Sequence, residues 1–227
     1  MDLTRINLTV AAALAVSGVF IALLSALVDS QWMASRRARV DKPAKIEPSS
    51  RRFMVVSSSI VSTGMIFAAV NLMPDVLFRP TPAPWWRVPL EAAAILAVYD
   101  LGYYLLHRFA FHVWEPGMRM HAVHHRVRTP FARDSLYVHP LETAGGVGLL
   151  LLSVVAVGPV TLPGFGLAFL VYSLLNVFIH SAFHVPHPFF APLNAMARNH
   201  DTHHASMRGG YYGSITPVWD LLFRTAR

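Results

Sequence analysis

Along the chain, long apolar runs alternate with short segments crowded with arginine or histidine. Five runs stand out. The first, Leu8 to Val28, reads LTVAAALAVSGVFIALLSALV and is long enough to cross a hydrocarbon core of about 30 Å at about 1.5 Å per residue. The second runs from Phe53 to Met73 and the third from Val88 to His107. The fourth and fifth, Leu141 to Val157 and Leu162 to His180, are joined by the turn GPVTLPG. This last pair lies near the lower length limit and reads either as a transmembrane hairpin or as a shallower re-entrant one. The pattern predicts an all-α protein: an integral membrane helical bundle of four to five spans, with a cytosolic helical cap.

Composition agrees. Of 227 residues, 54% are hydrophobic and only 14% charged, well below the quarter or so typical of a soluble domain. The first run is not read as a signal peptide, because only Arg5 precedes it and no small-residue cleavage site follows. There is no cysteine, which excludes disulfides, thiolate metal sites and cysteine nucleophiles. Any metal must be held by nitrogen or oxygen. The net charge of +7 does not point to nucleic acid, since the basic residues follow membrane topology rather than a groove-reading element.

That topology sets an orientation. Arg36, Arg37, Arg39, Lys42, Lys45, Arg51 and Arg52 lie between the first two runs. Arg108, Arg119, Arg126, Arg128 and Arg133 follow the third, and Arg198, Arg208, Arg224 and Arg227 lie in the tail. Five spans with the N-terminus outside place all of these on the cytoplasmic face and leave only Arg5, Arg79 and Arg87 outside, as the positive-inside rule requires. Trp85 and Trp86 then anchor an outer loop at the interface. The richness in Ala and Arg suggests a bacterial source, and hence an inner membrane.

All twelve histidines fall after residue 106, at or beyond a cytoplasmic boundary. HRFAFH (His107, His112) ends the third run, HAVHH (His121, His124, His125) follows it, HSAFH (His180, His184) ends the fifth, and HDTHH (His200, His203, His204) follows that. On a helix, residues i, i+3 and i+4 share a face, so each triplet can point one way, as can His180 and His184. His107 and His112 are five apart, roughly 140° around an ideal helix. Either the helix ends or bends between them or the two serve different metals. Ten imidazoles are too many for one ion. Shared between two they give four or five nitrogens each, leaving room for exogenous oxygen ligands, and imidazole suits iron, zinc, copper and nickel alike. Of the other two histidines, His187 in VPHPFF reads as a hydrogen-bonding residue at the interface, and His139 in YVHPLE as support, ligand or turn residue.

The run of Asp100, His107 and His112, then HAVHH, HPLE, HSAFH, HDTHH and YYGSITPVWDLLFRT, resembles the fatty acid hydroxylase and sterol desaturase superfamily over residues 90 to 225. The resemblance implies an integral membrane, non-haem di-iron oxygenase that uses O2 as co-substrate on lipid C–H bonds. It assigns two Fe ions to His107, His112, His121, His124, His125, His180, His184, His200, His203 and His204, and makes His139 a supporting position. It also divides the chain into N-terminal spans, residues 1–86, and a catalytic domain, residues 87–227. One departure is visible. Family members usually read W-D-x-x-F-G-T, whereas here Trp219, Asp220 and Phe223 are followed by Arg224.

Other polar residues suggest roles around the metals. Asp100 lies within a span, two helical turns before His107, where an ionisable residue is costly and functional by default. It is expected to hydrogen-bond a ligand histidine. Asn176, one turn before His180, is a second candidate site residue. Glu142 is read as orienting a histidine or pairing with an arginine, and Glu91 as interfacial. The expected function is hydroxylation or desaturation of a sterol, fatty acyl chain or related lipid. Each turnover needs two external electrons, and the chain has no dinucleotide fingerprint, no cysteine for an iron–sulfur cluster and no haem domain. A separate electron donor of ferredoxin, cytochrome b5 or reductase type is therefore expected. The alternatives are a membrane metal transporter, which places ligands deep in the bilayer, and a zinc-dependent membrane hydrolase, which needs an open zinc site and usually a carboxylate base.

Overall fold

The computed structural model describes residues 2–36 and 46–226. Arg37, Arg39, Lys42, Lys45 and Arg227 of the expected cytoplasmic charge lie outside the described residues. Five long helices make the membrane bundle: α1 (Leu3–Val28), α2 (Pro48–Leu72), α3 (Arg87–Leu105), α5 (Pro140–Val157) and α6 (Leu162–Ile179), with α4 (Glu115–His124) between α3 and α5. Two further helices follow, α7 (Ala191–Ala205) and α8 (Val218–Leu222). Among the described residues there is no strand, only an isolated bridge between Phe78 and Val160. The five long helices, with α3 counted through Phe111, are each long and apolar enough to span a bilayer.

Local chemistry sets the helix ends. Asp2 caps α1 by accepting from the amides of Thr4 and Arg5, and Pro48, Pro140 and Pro163 sit in first turns, where a missing N–H is harmless. Gly158, at φ +94°, ends α5. Most side chains of the spans are not buried by the protein itself: Leu8, Val19, Leu23, Ile60 and Leu152 stand outward on helices apolar on nearly every side. Such helices are stable where lipid covers them.

The helices pack in the ring order α1–α6–α3–α5–α2, with α2 returning against α1. Core residues Ile66, Val70, Ile95, Tyr99, Leu150, Val154 and Ala168 are buried where the walls meet. The α5–α6 hairpin runs the whole height of the bundle. At the far end Val160 pairs with Phe78, and the amide and hydroxyl of Thr161 donate to Glu91 at 2.7 and 2.6 Å. Glu91, read from sequence as interfacial, is thus a buried tie that Arg87 also engages at 2.8 Å. At the near end lie every histidine and the polar segments carrying them.

Those segments are pinned to the N-terminal helices. Asp29, just past α1, accepts from the amides of Ala132 and Arg133 at 3.0 and 3.1 Å. Arg51, in the first turn of α2, pairs with the buried Asp134. Ser58 donates to the Val138 carbonyl at 2.9 Å.

Candidate metal centre

Nine of the ten histidines read as ligands converge on two adjacent groups. The first holds His107, His112, His121, His125 and His203, and the second His124, His180, His200 and His204. Each triplet straddles both groups. On α4 the i, i+4 pair His121 and His125 faces the first group and His124 the second; on α7 the i, i+4 pair His200 and His204 faces the second and His203 the first. The reciprocal split lets two helices hold both groups together.

In the first group the Nε2 atoms form a closed ring of contacts. His107 lies 3.0 Å from His121 and 3.3 Å from His112; His112 lies 3.2 Å from His203, His203 3.1 Å from His125, and His125 3.0 Å from His121. His107 and His112 share this group because residues Leu106–Phe111 form a π-helical turn. With i→i+5 hydrogen bonding, residues five apart come onto one face. In the second group Nε2 of His180 lies 3.0 Å from His124 and 2.9 Å from His200, which lies 3.1 Å from His204.

The other ring nitrogen fixes the tautomer. Nδ1 of His107, His112 and His203 donates to the carbonyls of Tyr212, Met207 and Gly210 at 2.8, 2.7 and 2.9 Å. Nδ1 of His124, His180 and His204 donates to Tyr137, Asn176 and Val127 at 3.0, 2.6 and 2.9 Å. His121 donates to the Glu142 carboxylate at 2.8 Å. A carbonyl can only accept, so the proton sits on Nδ1 and Nε2 presents a bare lone pair. Burial, the largest effect, disfavours the charged form of seven of the rings: it holds His112 down to about 4 and His180 to about 3, and pushes His124, His125, His200, His203 and His204 below the ordinary imidazole value. Neutral lone pairs facing one another at these distances repel unless a cation lies among them.

The spacings fit a metal. With a metal–nitrogen distance of roughly 2.1 Å, ligands a right angle apart lie about 3.0 Å from each other and ligands at the tetrahedral angle about 3.4 Å. The contacts run from 2.9 to 3.3 Å, mostly at the right-angle end. Five convergent donors are also one more than a closed tetrahedral zinc site takes. The two groups suit metals that accept higher coordination and leave positions for other ligands.

His184 does not join them. α6 ends at Ile179, and Ala182 takes a left-handed φ of +49°, which turns the chain away before the i+4 position is reached. His184 is exposed, and its amide donates to the Arg36 carbonyl. Asp100 touches no histidine either. It accepts from the amides of Ile215 and Thr216 at 3.2 and 3.1 Å and from the Thr216 hydroxyl at 2.5 Å. Asp220 holds the same segment from the other side, accepting from the amides of Tyr212 and Gly213, each at 2.8 Å. The two acids therefore act through the backbone that presents the Tyr212 carbonyl to His107. His139 caps α5, its Nδ1 accepting from the Leu141 amide at 3.2 Å, three residues before Glu142. Asn176 supplies its carbonyl to His180, while its amide side chain reaches the Ser135 carbonyl at 3.5 Å. His187 caps the short turn at Pro188–Phe190.

Two openings reach the centre. A cavity of about 370 Å³, walled by all five long helices, extends from His107, His121, His124, His180 and His200 into the bundle. A second hollow, which shares no lining residue with the first, is lined by His125 and His204 together with Arg126 and Arg128.

A family model described as fatty acid hydroxylase matches residues 92–225. The chain belongs to the fatty acid hydroxylase family. Its relatives include methylsterol monooxygenase 1 of Danio rerio, 35% identical over 157 residues, and that of Rattus norvegicus, 31% identical over 160. Each alignment takes in 65% of this chain, and 53% and 52% of the respective relative. Fatty acid 2-hydroxylase of Homo sapiens is 28% identical over 142 residues, which are 56% of this chain and 37% of that protein. The chain thus spans about half the length of the methylsterol monooxygenases it matches. No solved structure matches it.

Membership sharpens the reading of Arg224. This residue adopts φ +55°, a left-handed conformation that glycine takes without strain and a Cβ-bearing residue does not. The departure from the family's usual glycine falls on the position where the backbone needs one. The amide of the next residue, Thr225, still donates to the Asp220 carbonyl at 2.8 Å, so the closing turn is kept.

Proposed function

We propose that this fatty acid hydroxylase family member is a di-iron oxygenase of lipids. It would use O2 and two external electrons to hydroxylate or desaturate an aliphatic C–H bond of a sterol, fatty acyl chain or related molecule. The observation that carries this reading is the inward convergence of nine Nε2 lone pairs in groups of five and four, most with the tautomer locked from behind. The relatives' names, methylsterol monooxygenase and fatty acid 2-hydroxylase, support a lipid oxidation. The chemistry the two irons supply when bound is activation of O2 and removal of hydrogen from an unactivated carbon. With two electrons and two protons, one O2 gives the alcohol and one water, or the alkene and two waters.

The chain's own residues hold, orient and seclude. Glu142 makes His121 a stronger donor, and the carbonyls of Asn176, Tyr137, Tyr212, Gly210, Val127 and Met207 fix the other rings. Asp100, His139 and Asn176 act as positioning residues in this reading. Residues 87–227 form the catalytic domain, and residues 1–86 furnish the outer wall of the lipid chamber. The substrate enters from the membrane side through the cavity, and electrons arrive through the second hollow. There Arg126 and Arg128 suit an acidic donor protein of ferredoxin, cytochrome b5 or reductase type. The excess of arginine at the histidine end favours a cytoplasmic active site, an outside N-terminus and a bacterial inner membrane.

The competing readings find no support. The ligand groups lie at one end of the bundle rather than at its middle, and among the described residues neither group contains a carboxylate ligand, the nearby Glu142 being engaged by His121. The test is turnover under ¹⁸O2. Protein in nanodiscs with iron, a reductase–ferredoxin pair and a panel of sterols and fatty acyl lipids should yield a product carrying one ¹⁸O, or an alkene with ¹⁸O in water. Oxygen consumption that tracks no lipid product across the panel contradicts the proposal.

A further inference from the structure

The wall of the large cavity carries buried oxygens that bond nothing. Tyr99, Ser135, Glu142, Thr143 and Ser214 all line it, and each has a buried side-chain oxygen without a hydrogen-bond partner among the described residues. Such atoms are costly in a dry apolar chamber, so they mark where a polar group of a ligand completes them.

Three of the five gather at one turn of α5. Glu142 and Thr143 are adjacent in its first turn, and Gly146 follows four residues after Glu142, about 6 Å along the helix. A Cβ placed on Gly146 would stand 3.9 Å from the Tyr99 hydroxyl, so Tyr99, reaching across from α3, brings its oxygen to the same turn. Glu142 uses Oε1 to accept from His121 at 2.8 Å and leaves Oε2 unbonded. A carboxylate oxygen and two hydroxyls are thus grouped beside a ring of the first metal group.

The count of donors and acceptors decides what they take. A carboxylate oxygen only accepts, whereas the hydroxyls of Tyr99 and Thr143 can donate. A ligand hydroxyl meets both needs at once, donating to Oε2 and accepting from Thr143 or Tyr99. An ether, ketone or ester only accepts and leaves Oε2 bare. A ligand carboxylate cannot donate either, and it brings a second negative charge beside Glu142 where, among the described residues, no Lys or Arg lines the chamber.

We propose that Glu142 Oε2, Thr143 and Tyr99 form a hydroxyl anchor at the metal end of the chamber, which selects a neutral lipid alcohol over the matching carboxylate. The inference rests on the lipid oxygenase reading and specifies its substrate: a lipid oxidised at a carbon close to a hydroxyl it already carries. Glu142 then serves twice, holding a ligand ring with one oxygen and the substrate with the other.

The test compares 1-hexadecanol, its methyl ether and hexadecanoate, which share one alkyl chain and differ at the head. Equilibrium binding of each tritiated probe is measured on iron-loaded full chain in nanodiscs at about pH 9, where the free carboxylate is ionised, against protein-free nanodiscs. Neither O2 nor electrons are supplied, so a failure of oxygenase turnover leaves the binding result readable, and iron content and a thermal melt are checked for every sample. The wild-type protein should bind the alcohol about tenfold more tightly than the ether or the carboxylate, the worth of one hydrogen bond to a charged acceptor. Glu142→Gln can keep an oxygen for His121 while placing an N–H donor where Oε2 stood, and should erase the advantage of the alcohol over the ether. Thr143→Val/Tyr99→Phe should weaken alcohol binding about fivefold at unchanged iron content. Equal binding of alcohol and ether by wild type, an advantage that survives in Glu142→Gln, or undiminished alcohol binding in the double variant overturns the anchor and leaves the oxygenase reading standing. Binding of none of the three probes overturns the anchor together with the lipid chamber on which it rests.

Discussion

Removing the Glu142 side chain tests the support behind the metal groups. Glu142 and His121 have side chains only 6% and 2% exposed, and among the described residues their 2.8 Å hydrogen bond is the one ring support supplied by a carboxylate. In Glu142→Ala the Nδ1–H of His121 faces the space left by the carboxylate, and the ring is free to turn or to move its proton to Nε2. His121 touches both His107 and His125 at 3.0 Å, so a turned ring opens the first group at its centre. Loss of such outer support typically weakens metal binding about 10- to 100-fold, or about 1.4–2.8 kcal/mol. Glu142→Gln keeps an acceptor of the same shape without the charge and should fall between. The assay is iron retained by detergent-purified protein across a graded chelator series, read by inductively coupled plasma mass spectrometry with a thermal melt as folding control. Wild-type retention in Glu142→Ala, with the fold intact, would refute the argument that the carboxylate holds a ligand ring.

His180→Ala should strip metal from the second group, while His184→Ala should retain it, since His184 points away; equal losses in the same chelation assay would place His184 in the centre. Arg224→Gly should stabilise the protein by about 0.5–1 kcal/mol by relieving the left-handed strain, raising the melting midpoint by a few degrees, and an unchanged or lower midpoint contradicts this. The metal-free chain should lose stability as pH falls. The folded pKa values of His112 and His180, about 4 and about 3, lie below the unfolded value near 6.5. Below that unfolded value the unfolded state takes up protons that the folded state refuses. Chelator-treated protein should thus melt at a constant temperature above about pH 6.5 and progressively lower toward pH 4; a flat or rising profile on acidification contradicts it.

Much of this architecture is readable from the chain, because a membrane helix must be apolar along its length and a histidine triplet at i, i+3, i+4 must share a helix face. What the pattern omits is what depends on backbone departures. His107 and His112 meet through a π-helical turn, which no residue in HRFAFH announces. His184 has the spacing of a ligand but follows the end of a helix, and only the left-handed Ala182 reveals that the register is lost. Asp100 reads from the sequence as a functional acid expected to bond a ligand histidine, but its partners are the Ile215 and Thr216 amides and the Thr216 hydroxyl, more than a hundred residues away. Most of the groups that lock the rings are carbonyls, which leave no trace in side-chain identity. Glu142 is the exception: being a side chain it could be read as orienting a histidine or pairing with an arginine, and it bonds His121. Asp220 was legible as part of a closing motif, and the structure shows the motif bracing the loop that carries the acceptors for His107 and His203.

The central claim is two metal ions held by nine histidines, and metal stoichiometry tests it most directly. Elemental analysis of the full chain purified from iron-supplemented cells should find about two irons per polypeptide. His203→Ala, at the first group, and His200→Ala, at the second, should each lower that number, and the double variant should bind almost none. A single zinc per chain, or iron that survives loss of both histidines, would contradict the account.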